Sequence, residues 1–279
     1  MSFSTYVTYW DSDPYNTIQN MINCKALSVN SRVILAFASF NFSSTNYIPG
    51  FGNLTIDNVK SITNLVHNNN MKISLSIGGA TYPFTGSDLY SQSGLLASNI
   101  CSILNTCGFD GVDFDIEDPA TGYNDDYINN TSSLINTIKN LNPNLYITLT
   151  TAAQAWAPGM WQPIVLNNTI GNLSAWQPME YDIWIQTSYY NQIMSDINYY
   201  HNNWFIPYNK MVLGLIPGSD DMGHNLSLQD ALNLTSFAKL NGMGGMMTWD
   251  ANIDSNGIDN NAPFAYCMGI QSLLYNNNN

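Results

Sequence analysis

In the stretch Asp110-Gly111-Val112-Asp113-Phe114-Asp115-Ile116-Glu117, three carboxylates alternate with three large apolar residues. Side chains at i, i+2 and i+4 of a strand share one face and climb it in steps of about 6.5 Å, so Asp113, Asp115 and Glu117 converge on one pocket. Such a ladder suits proton chemistry, one acid donating while its neighbours hold charge close by. A solvated acidic face would not alternate with Val112, Phe114 and Ile116, which read as the sealed side of a buried strand stopped at Asp118-Pro119. A calcium loop needs a turn that spreads oxygen ligands around the ion, whereas this segment keeps a strand period.

The rest of the chain must position that ladder. Short apolar or β-branched runs fall at Thr5–Tyr9, Val33–Phe40, Lys72–Ile77, Gly111–Ile116, Leu145–Thr150, Tyr181–Gln186, Met211–Ile216 and Gly245–Trp249. Helical patterns lie between them, at Thr55–Asn68, Ser91–Thr106, Ile128–Lys139, Met194–Asn202 and Leu228–Asn241. A last one, near Ala265–Leu274, is expected to pack across the bottom. Eight βα repeats predict an α/β fold of the (β/α)8 barrel type, with the site at the carboxyl ends of the strands. A doubly wound open sheet is the alternative, but no Gly-x-Gly-x-x-Gly follows the first strand. No linker or composition break divides the 279 residues, so 1–279 reads as one catalytic domain. The strand ends carry polar and aromatic residues: Tyr9-Trp10-Asp11, Ser76-Ile77-Gly78-Gly79, Gln186 through Asn191, and Trp249-Asp250.

Seven Lys plus Arg against twenty Asp plus Glu give a formal charge of -13, with charged residues only 10% of the chain. That surface repels phosphate backbones and anionic membranes, so neither nucleic acid nor membrane is an expected partner. Cys24, Cys101, Cys107 and Cys267 lack metal-ligand spacing and are accompanied by only three histidines, so no metal or other cofactor is expected. Cys101 and Cys107 lie on one predicted helix, and free thiols are the plainer reading. Eight N-x-Ser/Thr sequons, at Asn41, Asn53, Asn129, Asn130, Asn167, Asn172, Asn225 and Asn233, fit a secreted glycoprotein. The amino-terminal residues lack a signal-segment pattern, so the chain is secreted or lumenal if such a segment has been removed and intracellular otherwise.

These motifs resemble family 18 of the glycoside hydrolases, the chitinase family. Its Asp-Gly-x-Asp-x-Asp-x-Glu signature is complete as Asp110, Gly111, Asp113, Asp115 and Glu117, its Ser-x-Gly-Gly signature stands as Ser76, Gly78 and Gly79, and Trp249 fills the aromatic position at the end of strand eight. The compact length looks like the small plant and fungal type. The resemblance implies retaining hydrolysis in which the substrate's acetamide is the nucleophile, an exception to the two-carboxylate scheme. Glu117 would then be the general acid and base, and Asp115 would orient the acetamide. Asp113 would share a proton or hydrogen bond with Asp115, and Trp249 would form the hydrophobic floor. Ser76 would bond deep in the site, while Gly78 and Gly79 would admit close approach. The family places a Tyr followed by Asp or Asn on strand six. Here Tyr189 is taken for that catalytic role, with Tyr190, which precedes Asn191, as the other choice and Gln186 as the accompanying amide. Asp110, of opposite parity to the ladder, is assigned a structural role with Gly111. Tyr9 and Tyr82 are expected to bind sugar, and Phe84, Trp156, Trp161 and Trp204 are placed on top loops as further platforms.

The expected substrate is chitin or another N-acetylglucosamine-containing glycan, cut at β-1,4 linkages by an endo-acting monomer. The alternatives are an endo-β-N-acetylglucosaminidase acting on N-glycan cores and a noncatalytic lectin on the same barrel, the latter disfavoured by the intact Glu117.

Overall fold

The computed structural model describes residues 1–10, 13–41, 48–80, 93–117, 125–153 and 161–275. Its strands are β1 (Ser2–Thr8), β2 (Ser31–Asn41), β3 (Ile48–Gly50), β4 (Lys72–Gly78), β5 (Gly111–Ile116), β6 (Tyr146–Ala152), β7 (Ala175–Met179), β8 (Val212–Leu215), β9 (Gly218–Ser219), β10 (Asn225–Leu226) and β11 (Gly245–Thr248). Pairing runs β1-β11-β8-β7-β6-β5-β4-β2, and β1 pairs β2 to close the ring. All eight ring strands are parallel, β3 adds antiparallel to the end of β2, and β9 and β10 form a small hairpin after β8. This is a (β/α)8 barrel.

Strand alternation divides the side chains between two cores. Phe3, Val7, Val33, Leu35, Val112, Phe114, Ile147, Leu149 and Trp176 point outward into one large apolar cluster beneath the helices. Tyr6, Ile34, Phe37, Met179, Tyr181, Val212 and Met247 belong to a second cluster inside the barrel. Asp113 and Asp115 have the inward parity, so an apolar outer face holds an acidic inner one, as the sequence pattern requires.

Helices Pro14–Asn23, Ile56–Asn68, Ser93–Cys107, Asp125–Leu141, Gln162–Thr169, Tyr189–Asn203, Leu228–Leu240 and Ala265–Tyr275 follow the ring strands, with a short turn of helix, Ala251–Asp254, after β11. The last helix joins the outer layer beside Leu228–Leu240 and does not cross the bottom. Only its end reaches there: the Tyr275 hydroxyl accepts the Phe3 N–H at 2.7 Å and donates to the Asn30 carbonyl at 2.8 Å.

The sixth ring strand departs most from expectation. It is Ala175–Met179, not Tyr181–Gln186, and Tyr189 and Tyr190 open a helix instead of ending a strand. Pro178 disguises the strand, because proline in a run argues against a ladder position. Ser188 starts the helix in extended backbone (φ -75°, ψ 153°), and its side chain accepts the Asn191 N–H.

At the barrel bottom Gly111 is required by space. A Cβ there would lie 2.5 Å from the Tyr146 carbonyl oxygen and 2.6 Å from Ser74 Oγ, the hydroxyl that takes a hydrogen bond from half-buried Arg32 at 3.0 Å. Asp110 lies at the same end and accepts from Lys72 Nζ at 2.8 Å, the Ile73 N–H at 2.9 Å and His67 Nε2 at 2.9 Å. Burial works to raise its pKa, but those hydrogen bonds outweigh it and bring the pKa down. Asp110 thus anchors the start of β5, opposite the end where Glu117 stands. Gly111→Ala is expected to cost about 1–3 kcal/mol through overpacking against backbone, lowering Tm by several degrees in a thermal melt while leaving the ladder's residues unaltered.

Candidate active site

Asp113 is fully buried at the centre of the barrel and receives five donors. Tyr6 and Ser76 hydroxyls each donate to Oδ2 at 2.6 Å. Thr148 and Thr150 donate to Oδ1 at 2.6 and 2.8 Å, and Gln177 Nε2 reaches Oδ1 at 3.2 Å while bonding Thr150 Oγ1 at 2.8 Å. Ser76, Asp113 and Thr148 are register partners across β4, β5 and β6, so the strand pairing itself assembles this shell. Hydrogen bonds to an ionised group are each worth about 1.5–3 kcal/mol, enough together to offset the several kcal/mol that burying one ion costs.

Asp115, next up the strand, is also buried, but its Oδ1 has no partner. Burial, then the charges of Glu117 and Asp113, push its pKa well above the ordinary carboxylate range. Burial raises Asp113 too, yet the bonds from Ser76, Thr148, Tyr6 and Thr150 work against it. The two acids therefore divide their roles: Asp113 carries the charge, and Asp115 holds the proton. Glu117 stands higher and is partly exposed, accepting the Ala80 N–H at 3.1 Å. Burial raises its pKa, the Ala80 bond lowers it, and the nearby Asp182 charge raises it again.

Tyr181 and Asp182 complete the acidic end, and they correct the strand-six assignment. Tyr181 is buried, and its pKa is raised by burial and then by Asp115, Glu117 and Asp182, which keeps its hydroxyl protonated beside the ladder. Asp182, in the left-handed region at φ 55°, is clamped by two bonds. Its N–H donates to Asp220 Oδ2 at 3.0 Å, and its Oδ1 accepts the Asp221 N–H at 2.7 Å. Tyr189 instead donates its hydroxyl to the Glu180 carbonyl at 2.8 Å and lays its ring 5.5 Å from that of His224. Tyr190 packs on the outer core, and Gln186 gives its N–H to Gln192 Oε1 at 3.2 Å on the outside of the barrel. None of the three joins the ladder. Tyr181-Asp182 fits the Tyr-then-Asp pattern directly, and Gln177, not Gln186, is the amide facing the acids.

Aromatic rings form the opposite wall. Trp249 stacks on Phe37 at 5.4 Å and meets Tyr6 edge-on at 5.1 Å, while Trp10 stacks on Phe37 at 5.6 Å. Gly79, at φ 74°, has no room for a side chain because a Cβ would sit 2.6 Å from the Phe37 ring. Gly78 also has a positive φ, 113°. Beside Trp249 opens a cleft of about 390 Å³ lined by Trp10, Asn252 and Asn256 among others. Tyr9 packs against Gly52 and gives its hydroxyl to the Phe37 carbonyl, so it props this wall. Trp161 and Trp204 are buried under the helices and are not platforms; among the described tryptophans, Trp10 at 47% and Trp184 at 65% are exposed. Tyr82, Phe84, Trp156 and Asp118 lie outside the described residues. All four cysteines are free thiols.

A barrel whose interior carries a graded acid ladder facing an aromatic wall defines the class of molecule. The sequence profile of the glycosyl hydrolases family 18 matches residues 4–217. The chain belongs to that family. Solved structures share the fold: a GH18 chitinase from Pseudoalteromonas aurantia superposes with TM-score 0.76 at 20% identity, covering 98% of this chain and 100% of that one. Active domain 2 of the thermostable chitinase from Pyrococcus furiosus gives 0.76 at 14% identity, over 98% and 94%. The chitinase from Rhizomucor miehei gives 0.70 at 18% identity, over 97% and 100%. No curated protein matches the sequence.

Tyr6→Phe removes one donor from Asp113 and keeps the ring. The expected loss is about 1.5–3 kcal/mol at neutral pH, where the acceptor is an anion, and clearly less near pH 3, where Asp113 is protonated. Urea unfolding at both pH values measures it; an equal loss at both would show that the bond is not linked to the charge.

Proposed function

We propose that residues 1–279 form a single catalytic domain that hydrolyses β-1,4 linkages between N-acetylglucosamine units of chitin or chito-oligosaccharides, with retention and with the substrate's acetamide as nucleophile. The observation that carries this reading is the gradient along β5: a buried Asp113 satisfied by five donors, a buried Asp115 left with an unpartnered oxygen, and a partly exposed Glu117. Glu117, its pKa lifted by burial, enters the reaction protonated and gives its proton to the leaving oxygen. Asp115 passes its proton to the Asp113 anion, turns its free oxygen to the acetamide N–H and, now ionised, offsets positive charge as the acetamide oxygen attacks the anomeric carbon. Tyr181 donates to the acetamide from the other side, and Trp249 supplies the flat apolar floor. Glu117, now ionised, takes a proton from the water that opens the intermediate. Family membership and the chitinases that share the fold support this assignment. We also infer the compact type of the family, because only the β9–β10 hairpin stands between β8 and the helix Leu228–Leu240.

Glu117→Gln should lower kcat on chitohexaose by about 100-fold to 10,000-fold with the fold intact, and the wild type should release β-configured products visible by NMR in the first minutes. Products of inverted configuration would overturn the mechanism. Cutting confined to N-glycan cores would move the substrate to that class. Because Glu117 must be protonated to act, activity should fall as pH rises through its raised pKa. Asp182→Asn removes a charge that raises that pKa, so the alkaline limb of kcat/KM should move to lower pH.

A further inference from the structure

On the reverse face of the strand end that presents Tyr181, Glu180 points out of the barrel into the helix layer. It is fully buried, and neither of its carboxyl oxygens has a hydrogen-bond partner. Its backbone is fixed on both sides: the N–H donates to the Gly214 carbonyl at 2.9 Å, and the carbonyl accepts the Tyr189 hydroxyl at 2.8 Å. The ionisable groups facing it come from the helix Tyr189–Asn203. They are Asp196, the buried Tyr200 hydroxyl, which lies near Glu180 without a well-formed hydrogen bond, and Tyr189, behind which stand Asp220 and Asp182. Neither β8 nor the helix Gln162–Thr169 brings an ionisable side chain. Asp196, itself buried at 2% exposure, accepts from Gln192 Nε2 at 3.0 Å and lines an outer cavity of about 330 Å³ with Gln186, Asn191 and Ser195, which sets it nearer to solvent than Glu180.

We propose that Glu180 is a positioning residue whose neutral carboxyl keeps the helix Tyr189–Asn203 seated on the end of β7 and thereby holds Tyr181 against the acid ladder. Two interacting carboxylates in a dry layer do not both ionise cheaply, and the one nearer to solvent gives up its proton first. Asp196 fits that part, with burial pushing its pKa up to about 6, while burial and the Asp196 charge hold Glu180 well above the ordinary range. Both folded-state values exceed the unfolded ones. The pair's contribution is therefore complete below the unfolded carboxylate pKa and is lost as pH rises, first through about 6 for Asp196 and then through the higher value of Glu180. Once Glu180 ionises, two anions oppose each other across the seam between strand and helix, and the residue beside Glu180 in the chain is Tyr181.

The proposal rests on the hydrolase reading for its activity readout, so the experiment carries a second readout that needs no turnover. Wild type, Glu180→Gln and Asp196→Asn would be compared from pH 5 to 9 by thermal melting, by kcat and KM on chitohexaose, and by the ring signals of carbon-13-labelled Tyr181, identified with Tyr181→Phe. Glu180→Gln keeps the shape and removes the ionisation. Its kcat at pH 9 relative to pH 6 should exceed the wild-type ratio at least threefold with KM changed less than twofold, and its Tm should lose less than half as much over that range. The Glu117 limb is common to both chains and cancels in the ratio. The Tyr181 signals should shift with pH more in the wild type than in Glu180→Gln. Asp196→Asn removes the opposing charge and should flatten the Tm profile in the same direction, which carries the test if Glu180→Gln does not fold. Superimposable pH profiles for wild type and both variants would overturn the proposal. A change in Tm without a change in the kcat ratio or the Tyr181 signals would reduce Glu180 to a packing role. A wild type that cuts no chito-oligosaccharide would remove the hydrolase reading and leave the Tyr181 signals to decide the positioning claim.

Discussion

A carboxylate at the centre of a parallel barrel is tolerated only if its neighbours supply hydrogen bonds, and the Asp113 anion sets that requirement for the whole molecule. Its donors come from β1 (Tyr6), β4 (Ser76), β6 (Thr148 and Thr150) and β7 (Gln177). A one-residue slip of any of these strands would turn its donor toward the helices and leave part of a buried charge unmet. The charge therefore constrains register in a way that apolar packing alone would not, because Val, Ile and Leu on the outer face tolerate repacking. The same network leaves Asp115 without a comparable share of donors, and the asymmetry between the two acids follows from which strands carry hydroxyls at the level of Asp113.

The acid ladder was legible in sequence because its apolar partners alternate without a break from Val112 to Ile116. Ser76, Gly78 and Gly79 were legible through the spacing of their motif. What escaped was the polar lining supplied by residues that also serve as ordinary strand formers. Thr148 and Thr150 sit in a run that reads simply as β-branched, and Tyr6 reads as an apolar strand residue, although its hydroxyl bonds Asp113 at 2.6 Å. Tyr181 is hidden in the sequence for a structural reason: Pro178 disguises a five-residue strand, so the run that reads as the strand lies about six residues downstream and points to Tyr189 instead. Trp161 and Trp204 show the opposite error, because aromatic residues near strand ends are as useful to the helix layer as to a sugar, and only burial separates the two.

Five of the acids gathered around β5 and β7, namely Asp113, Asp115, Glu117, Glu180 and Asp196, have no Lys, Arg or His partner among the described residues, where ion pairs end on Asp110 or Asp220. Without cations, protons and neutral hydroxyls must hold these groups in place. A Lys or Arg beside Glu117 would draw its pKa down and release the proton early, whereas acids and dry surroundings hold it up. The cost of that choice appears on the other face of β7, where the same shortage of cations leaves Glu180 dependent on its own proton. One strand end thus faces a proton donor on its inner side and a proton-dependent contact on its outer side, and rising pH acts on both in the same direction.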